Sequence, residues 1–157
     1  MKRPLIRALG FLALLMSLLA CDPRKVTDEY HTIRNSSWNV DSVQHFSFTI
    51  LKKDQNHNVY LNIRNDRSYG FSNLWLFVTV VSPTGKSMTD TVQVVLADPA
   101  GKWLGKGFSG VYDNRLLYKR NVYFPDPGLY FIHLRHGMRP NNLKGITDIG
   151  IRVEKAY

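Results

Sequence analysis

A single cysteine in 157 residues excludes a disulfide framework within the chain and any zinc site built from cysteine pairs. Acidic residues are scarce as well, with 12 Asp and Glu against 21 Lys and Arg for a formal net charge of +9. Three of the cations, Lys2, Arg3 and Arg7, fall in the first twenty residues, which hold no acid. Beyond them 18 basic residues face 12 acidic ones, a net of +6. A surplus of that size suits acidic partners and does not call for nucleic acid. Apolar runs long enough to span a bilayer as a helix, roughly 20 residues, are also missing. The length fits one compact domain, and 44% hydrophobic with 21% charged residues is ordinary for a globular chain.

The N-terminus is rich where the rest is poor. After its basic start, Ala8 to Ala20 runs for thirteen uncharged residues, short for a permanent anchor and the right length for a secretory signal. It ends in Leu18-Leu19-Ala20-Cys21, which resembles the bacterial lipobox. That resemblance implies cleavage before Cys21 and acyl chains on it, so residues 1–20 read as a lipoprotein signal peptide. Two or more chains hold a protein on a bilayer where one would not. Residues 21–35 are polar and lack apolar periodicity, so they read as the lipidated end and a tether lifting the domain off the headgroups. Residues 36–157 then form the folded domain.

From Trp38 onward no 3.6-residue apolar stripe lasts three turns, and period-two runs recur. Phe46, Phe48 and Ile50 share one face; so do Val59, Leu61 and Ile63, and later Val92, Val94 and Leu96. Leu74 to Val81 is apolar on both faces and reads as a central strand. Leu129 to His136 is another strand. In the last one Ile149, Ile151 and Val153 point inward and Asp148, Gly150, Arg152 and Glu154 outward. Ser82-Pro-Thr-Gly85, Asp98-Pro-Ala-Gly101 and Asp126-Pro-Gly128 are turns between them. Seven or eight short strands so spaced predict a single all-β domain, a β-sandwich of jelly-roll-like or immunoglobulin-like type.

Catalytic groupings are missing. Gly105-Lys-Gly107-Phe-Ser-Gly110 has the letters of a dinucleotide fingerprint, but no helix pattern follows to receive a pyrophosphate. These glycines read as a tight loop beside Trp103. His133 and His136 are an odd number apart on one strand and so face opposite ways. His31, His45 and His57 fall in the tether, at a strand start and in a turn, so the histidines read as surface and edge residues. Neither a metal site nor a cofactor site is expected, and the chain reads as a non-enzyme.

The combination of Cys21, Trp103-Leu104-Gly105-Lys106-Gly107, Phe124-Pro125 with Pro127-Gly128-Leu129-Tyr130, His136-Gly137-Met138-Arg139 and Leu143-Lys-Gly145-Ile146-Thr-Asp148-Ile149-Gly150 resembles the gliding-motility-associated GldH lipoproteins of Bacteroidota. The resemblance covers the whole mature chain. It implies a cell-envelope lipoprotein, lipid-anchored in the outer membrane and facing the periplasm. It also implies an accessory or scaffold role in gliding and in the linked type IX secretion machinery, with no catalytic residue and with envelope proteins as partners. Arg115, Lys119, Arg120, Arg135 and Arg139 are the expected docking cations, since Arg forks onto carboxylates. A carbohydrate-binding sandwich is the alternative, with Trp103 and Tyr112 as a stacking platform. Asp41-Ser42-Val43 and Asp90-Thr91-Val92 look like the O-glycosylation acceptor of Bacteroidota, with Ser42 and Thr91 as the acceptors.

Overall fold

A computed structural model describes residues 22–157; Cys21 and the signal segment before it lie outside the described residues. The strands are β1 (Lys25–Thr32), β2 (Ser37–Asn39), β3 (Gln44–Ile50), β4 (His57–Asp66), β5 (Asn73–Val81), β6 (Ser87–Val95), β7 (Lys106–Phe108), β8 (Val111–Val122), β9 (Gly128–His136), β10 (Asn142–Lys144) and β11 (Ile146–Lys155). A single 3-10 turn covers Arg34–Ser36. One sheet runs β1-β11-β4-β8-β7, the other β3-β9-β5-β6, and β2 pairs with β10 in a short ribbon.

The pairing is nested and antiparallel: β1 with β11, β3 with β9, β4 with β8, β5 with β6. A long hairpin wrapped over itself in this way sends successive pairs to opposite sheets. That is the jelly roll rather than the immunoglobulin arrangement. Side-chain alternation then fills the space between the sheets. Phe46, Phe48 and Ile50, Leu74, Leu76 and Val78, and Tyr130, Ile132 and Leu134 meet Val59, Leu61 and Ile63 with Ile149, Ile151 and Val153. The ribbon adds Trp38 and Leu143, which lie opposite each other and are both buried.

Three expectations are corrected. First, Lys25–Thr32 is a strand and not a tether: it pairs with β11 from Lys25 opposite Glu154 to Thr32 opposite Asp148. It carries no apolar period because it is an edge strand whose side chains mostly meet polar partners; Val26 packs against the core, and the His31 ring stacks 4.2 Å from Phe46. Second, Leu74 to Val81 is a central strand between β6 and β9, but only its alternate residues are buried. Trp75 and Phe77 point out of the sandwich, because among the described residues no helix layer covers this antiparallel sheet.

Third, His57 and His136 are core residues, with 4% and 0% exposure. His136 follows Ile132 and Leu134 on the inward face of β9, and its Nε2 lies 3.1 Å from the Trp38 carbonyl. Burial pushes both imidazoles below the ordinary value of 6.5. The folded state therefore holds them neutral, while the unfolded chain takes up protons below about pH 6.5. Stability is full above that value and falls as the pH drops toward the depressed folded values. Urea unfolding should show a loss of about 1 kcal/mol between about pH 7.5 and pH 5.5, shrinking in a His57→Gln, His136→Gln variant. An unchanged loss in that variant would assign the acid sensitivity elsewhere.

Candidate functional site

The two outer faces of the sandwich differ in chemistry. On the five-stranded sheet, charges satisfy one another. The Arg152 side chain, 11% exposed, donates to Asp28 at 2.8 Å and to Glu154 at 3.0 Å, and also bonds Asp22. The Tyr60 hydroxyl donates to Glu154 at 2.9 Å. Burial opposes the charge of Arg152, yet its hydrogen bonds to Asp28, Asp22 and Glu154 raise its pKa. Burial likewise opposes the charge of Glu154, and the bonds from Tyr60 and Arg152 outweigh it and hold the carboxyl below its usual range. Beside them Arg115 donates to Asn62 at 3.1 Å, while Arg64 donates to Asp113 at 3.1 Å and stacks 4.0 Å from the Tyr30 ring. Few charges on this face are left for a partner.

The four-stranded sheet presents the opposite character. Trp75, Phe77, Leu129 and Phe131 stand outward on its two central strands, and the first of them is 38% exposed. Arg135 lies with its guanidinium 5.0 Å from the Phe77 ring. His45 and His133 face each other across β3 and β9 with Nδ1 atoms 2.8 Å apart, so one donates to the other. Burial, and the nearby His45, lower the pKa of His133. Outward positions of the four strands carry Arg135 and these histidines but no Asp or Glu. Exposed aromatics with Arg and without carboxylates are the composition enriched at protein interfaces.

The five expected docking cations do not form one surface. Arg115 and Arg135 lie on opposite outer faces, because their strands belong to different sheets. Lys119 is held 2.7 Å from Asp90, whose carboxylate also accepts from the Tyr118 hydroxyl at 2.6 Å. These contacts, led by Lys119, lower the Asp90 pKa and join β8 to β6 across the sandwich. Arg120 and Arg139 are exposed, the first near the end of β8 and the second in the connection after β9. Chain proximity suggested a cluster; a bulge in β8 and the division into sheets dispersed it.

Trp103 and Tyr112 do come together, with ring centroids 5.6 Å apart, and Tyr69 lies 6.3 Å from Trp103. Both rings are half-buried, and Trp103 packs against the core. Gly107 sits on the Tyr112 ring, where an added Cβ would come within 2.6 Å, and one at Gly105 would come within 2.8 Å of Asn114. The G-x-G spacing thus permits close packing of a loop on β8, and β7 rather than a helix carries Gly107. A cleft of about 540 Å³ lies nearby, between Val94, Val95 and Leu104 on one side and Asp113 and Leu116 on the other. Among the described residues no three His, Cys, Asp or Glu side chains converge to hold a metal. Ser42, in a turn, and Thr91, on the outward side of β6, are both exposed. The aromatic face went unread in the sequence, although Trp75 and Phe77 alternate with Leu74, Leu76 and Val78.

Fold and faces define a two-sheet jelly-roll protein with one self-paired charged face and one open face free of acids. Residues 25–153 match the family described as GldH lipoprotein, and the chain belongs to that family. It is 35% identical over 153 residues to a gliding motility lipoprotein GldH homolog of Christiangramia forsetii, covering 93% of each chain. It is also 35% identical over 158 residues to the gliding motility lipoprotein GldH of Flavobacterium johnsoniae, covering 96% of this chain and 98% of that one. A solved structure of dimeric latent PorU from Porphyromonas gingivalis resembles it at a TM-score of 0.37 and 10% identity, over 87% of this chain and 13% of that one. A likeness at that level does not define a shared fold.

Proposed function

We propose that this chain is a lipid-anchored, non-enzymatic accessory of the envelope machinery for gliding and the linked type IX secretion, and that it docks an acidic-surfaced envelope protein. The observation that carries the reading is the open, acid-free aromatic face around Arg135, set against the internally paired charges of the opposite face. Cys21 carries the acyl anchor, in the outer membrane and toward the periplasm. Ser42 is an accessible acceptor for glycan beside the docking sheet, and Thr91 is one on the docking face itself, opposite Phe77, where a glycan would crowd a partner. The names of the relatives support the motility assignment.

Co-purification from solubilised envelope tests the docking face. A Phe131→Ser, Arg135→Glu variant should lower partner recovery about tenfold, the scale of a single interface hot spot. Arg115→Glu with Arg120→Glu should lower it far less, since Arg115 already bonds Asn62. The reverse ranking would move the docking surface to the five-stranded sheet. Turnover of an envelope glycan or peptide by the purified protein would overturn the non-enzyme reading.

A further inference from the structure

The folded domain begins one residue after Cys21. Asp22 accepts from the Arg24 amide at 3.1 Å through its side chain, accepts from the Lys25 amide at 3.2 Å through its carbonyl, and pairs with Arg152. In the sequence Asp22 follows Cys21 directly. An acyl group on Cys21 therefore ties this end of the domain to a bilayer and leaves its tilt to be set by the contacts around it.

The surface at that point is built from three segments of chain. The Lys155 amide donates to the Arg24 carbonyl at 2.9 Å, and the Ala156 amide to the Asn56 carbonyl at 2.8 Å. Gln55 Nε2 donates to the Ala156 carbonyl at 3.0 Å, and Arg24 lies 4.9 Å from the Tyr157 ring. The start of β1, the loop between β3 and β4 and the end of β11 thus form one end of the sandwich. Arg24, Lys25, Lys52, Lys53 and Lys155 stand there with Asp54 in the loop and Asp126 in the connection before β9, while Asp22 and Glu154 are taken up by Arg152. Lys25, Lys52 and Lys155 line a cleft of about 500 Å³ with Leu51, Gln55 and His57. Leu51 is 83% exposed and Tyr157 fully so. Clustered lysines beside an exposed apolar residue and an amphipathic aromatic suit the headgroup layer of a membrane.

We propose that this end of the sandwich rests on the bilayer, with Lys25, Lys52 and Lys155 taking the phosphates of anionic lipid headgroups into the cleft they line. The proposal rests on acylation of Cys21, and it leaves both sheet faces standing sideways to the membrane and open to partners. Each lysine near an anionic surface contributes about fivefold to partitioning.

The mature lipidated protein, reconstituted in phosphatidylcholine vesicles containing phosphatidylglycerol and a headgroup-bound quencher lipid, tests it. Acylation blocks Cys21, so a cysteine introduced by Lys53→Cys or Ser68→Cys takes the fluorophore alone. These sites flank the two ends of β4, whose ten residues separate them by about 30 Å. Strong quenching at position 53, at least about fivefold that at position 68, is expected, because quenching needs contact with the headgroup layer and position 68 stands about 30 Å further from it. A Lys25→Glu, Lys52→Glu, Lys155→Glu variant should still float with the vesicles and lose most of that difference. Equal quenching at both positions in protein that floats overturns this proposal and leaves the anchor intact. Unchanged quenching in the triple variant overturns the assignment of the lysines. Protein that fails to float overturns the anchor and this proposal together.

Discussion

Ile151→Asp abolishes cooperative folding of the domain. Ile151 lies in β11, between β1 and β4, with its side chain fully buried and directly opposite Leu61. The aspartate loses about 2 kcal/mol of apolar burial and adds an unpaired charge costing several more. That sum rivals the whole stability of a domain this size, about 5–15 kcal/mol. Its neighbour Arg152 points the other way into a set of carboxylates, so no shift of one residue rescues the variant. Circular dichroism with urea titration reads the outcome, and Ile151→Val, costing about 1 kcal/mol, serves as the control. An Ile151→Asp protein that unfolds cooperatively within about 1 kcal/mol of the parent would contradict the burial of this strand.

Cys21→Ser removes acylation entirely. The chain contains no other thiol, and this one follows the short apolar segment of a secretory signal. Metabolic labelling with a fatty-acid analogue should mark the parent and fall to background in the variant. Label retained at the parental level would place the acyl chains elsewhere and detach the membrane-proximal geometry from its anchor. The consequence for position is large, because Asp22, the next residue in the chain, is already bonded to Arg152.

Strands with clean alternation were legible in the sequence. Phe46, Phe48 and Ile50 in β3, Val59, Leu61 and Ile63 in β4, and Ile149, Ile151 and Val153 in β11 fall on every second position, and they make the core. β1 was not legible, since an edge strand over a polar network needs no apolar period; Asp28 and Tyr30 serve Arg152 and Arg64 instead. β2, β7 and β10 have three residues each, too few for any period to register. The buried histidines were missed because a turn-like context at His57 and a strand end at His136 look the same whether solvent or core lies beyond. The docking cations were named as a chain neighbourhood, but which face each one occupies depends on long-range pairing. Arg135 gained its significance only when β9 was placed between β3 and β5. The rejection of the glycine fingerprint rested on the missing helix, and the packing of Gly105 on Asn114 supplies its positive reason.

Site-specific photo-crosslinking in intact cells tests the central claim most directly. A photoreactive residue at Phe131 reports on the open face of the four-stranded sheet, and one at Leu117, opposite Tyr60, reports on the outer face of the five-stranded sheet. A discrete adduct with one envelope protein from position 131, with none from position 117, is the predicted result. Adducts from position 117 alone, or equally from both, would contradict docking through the aromatic face.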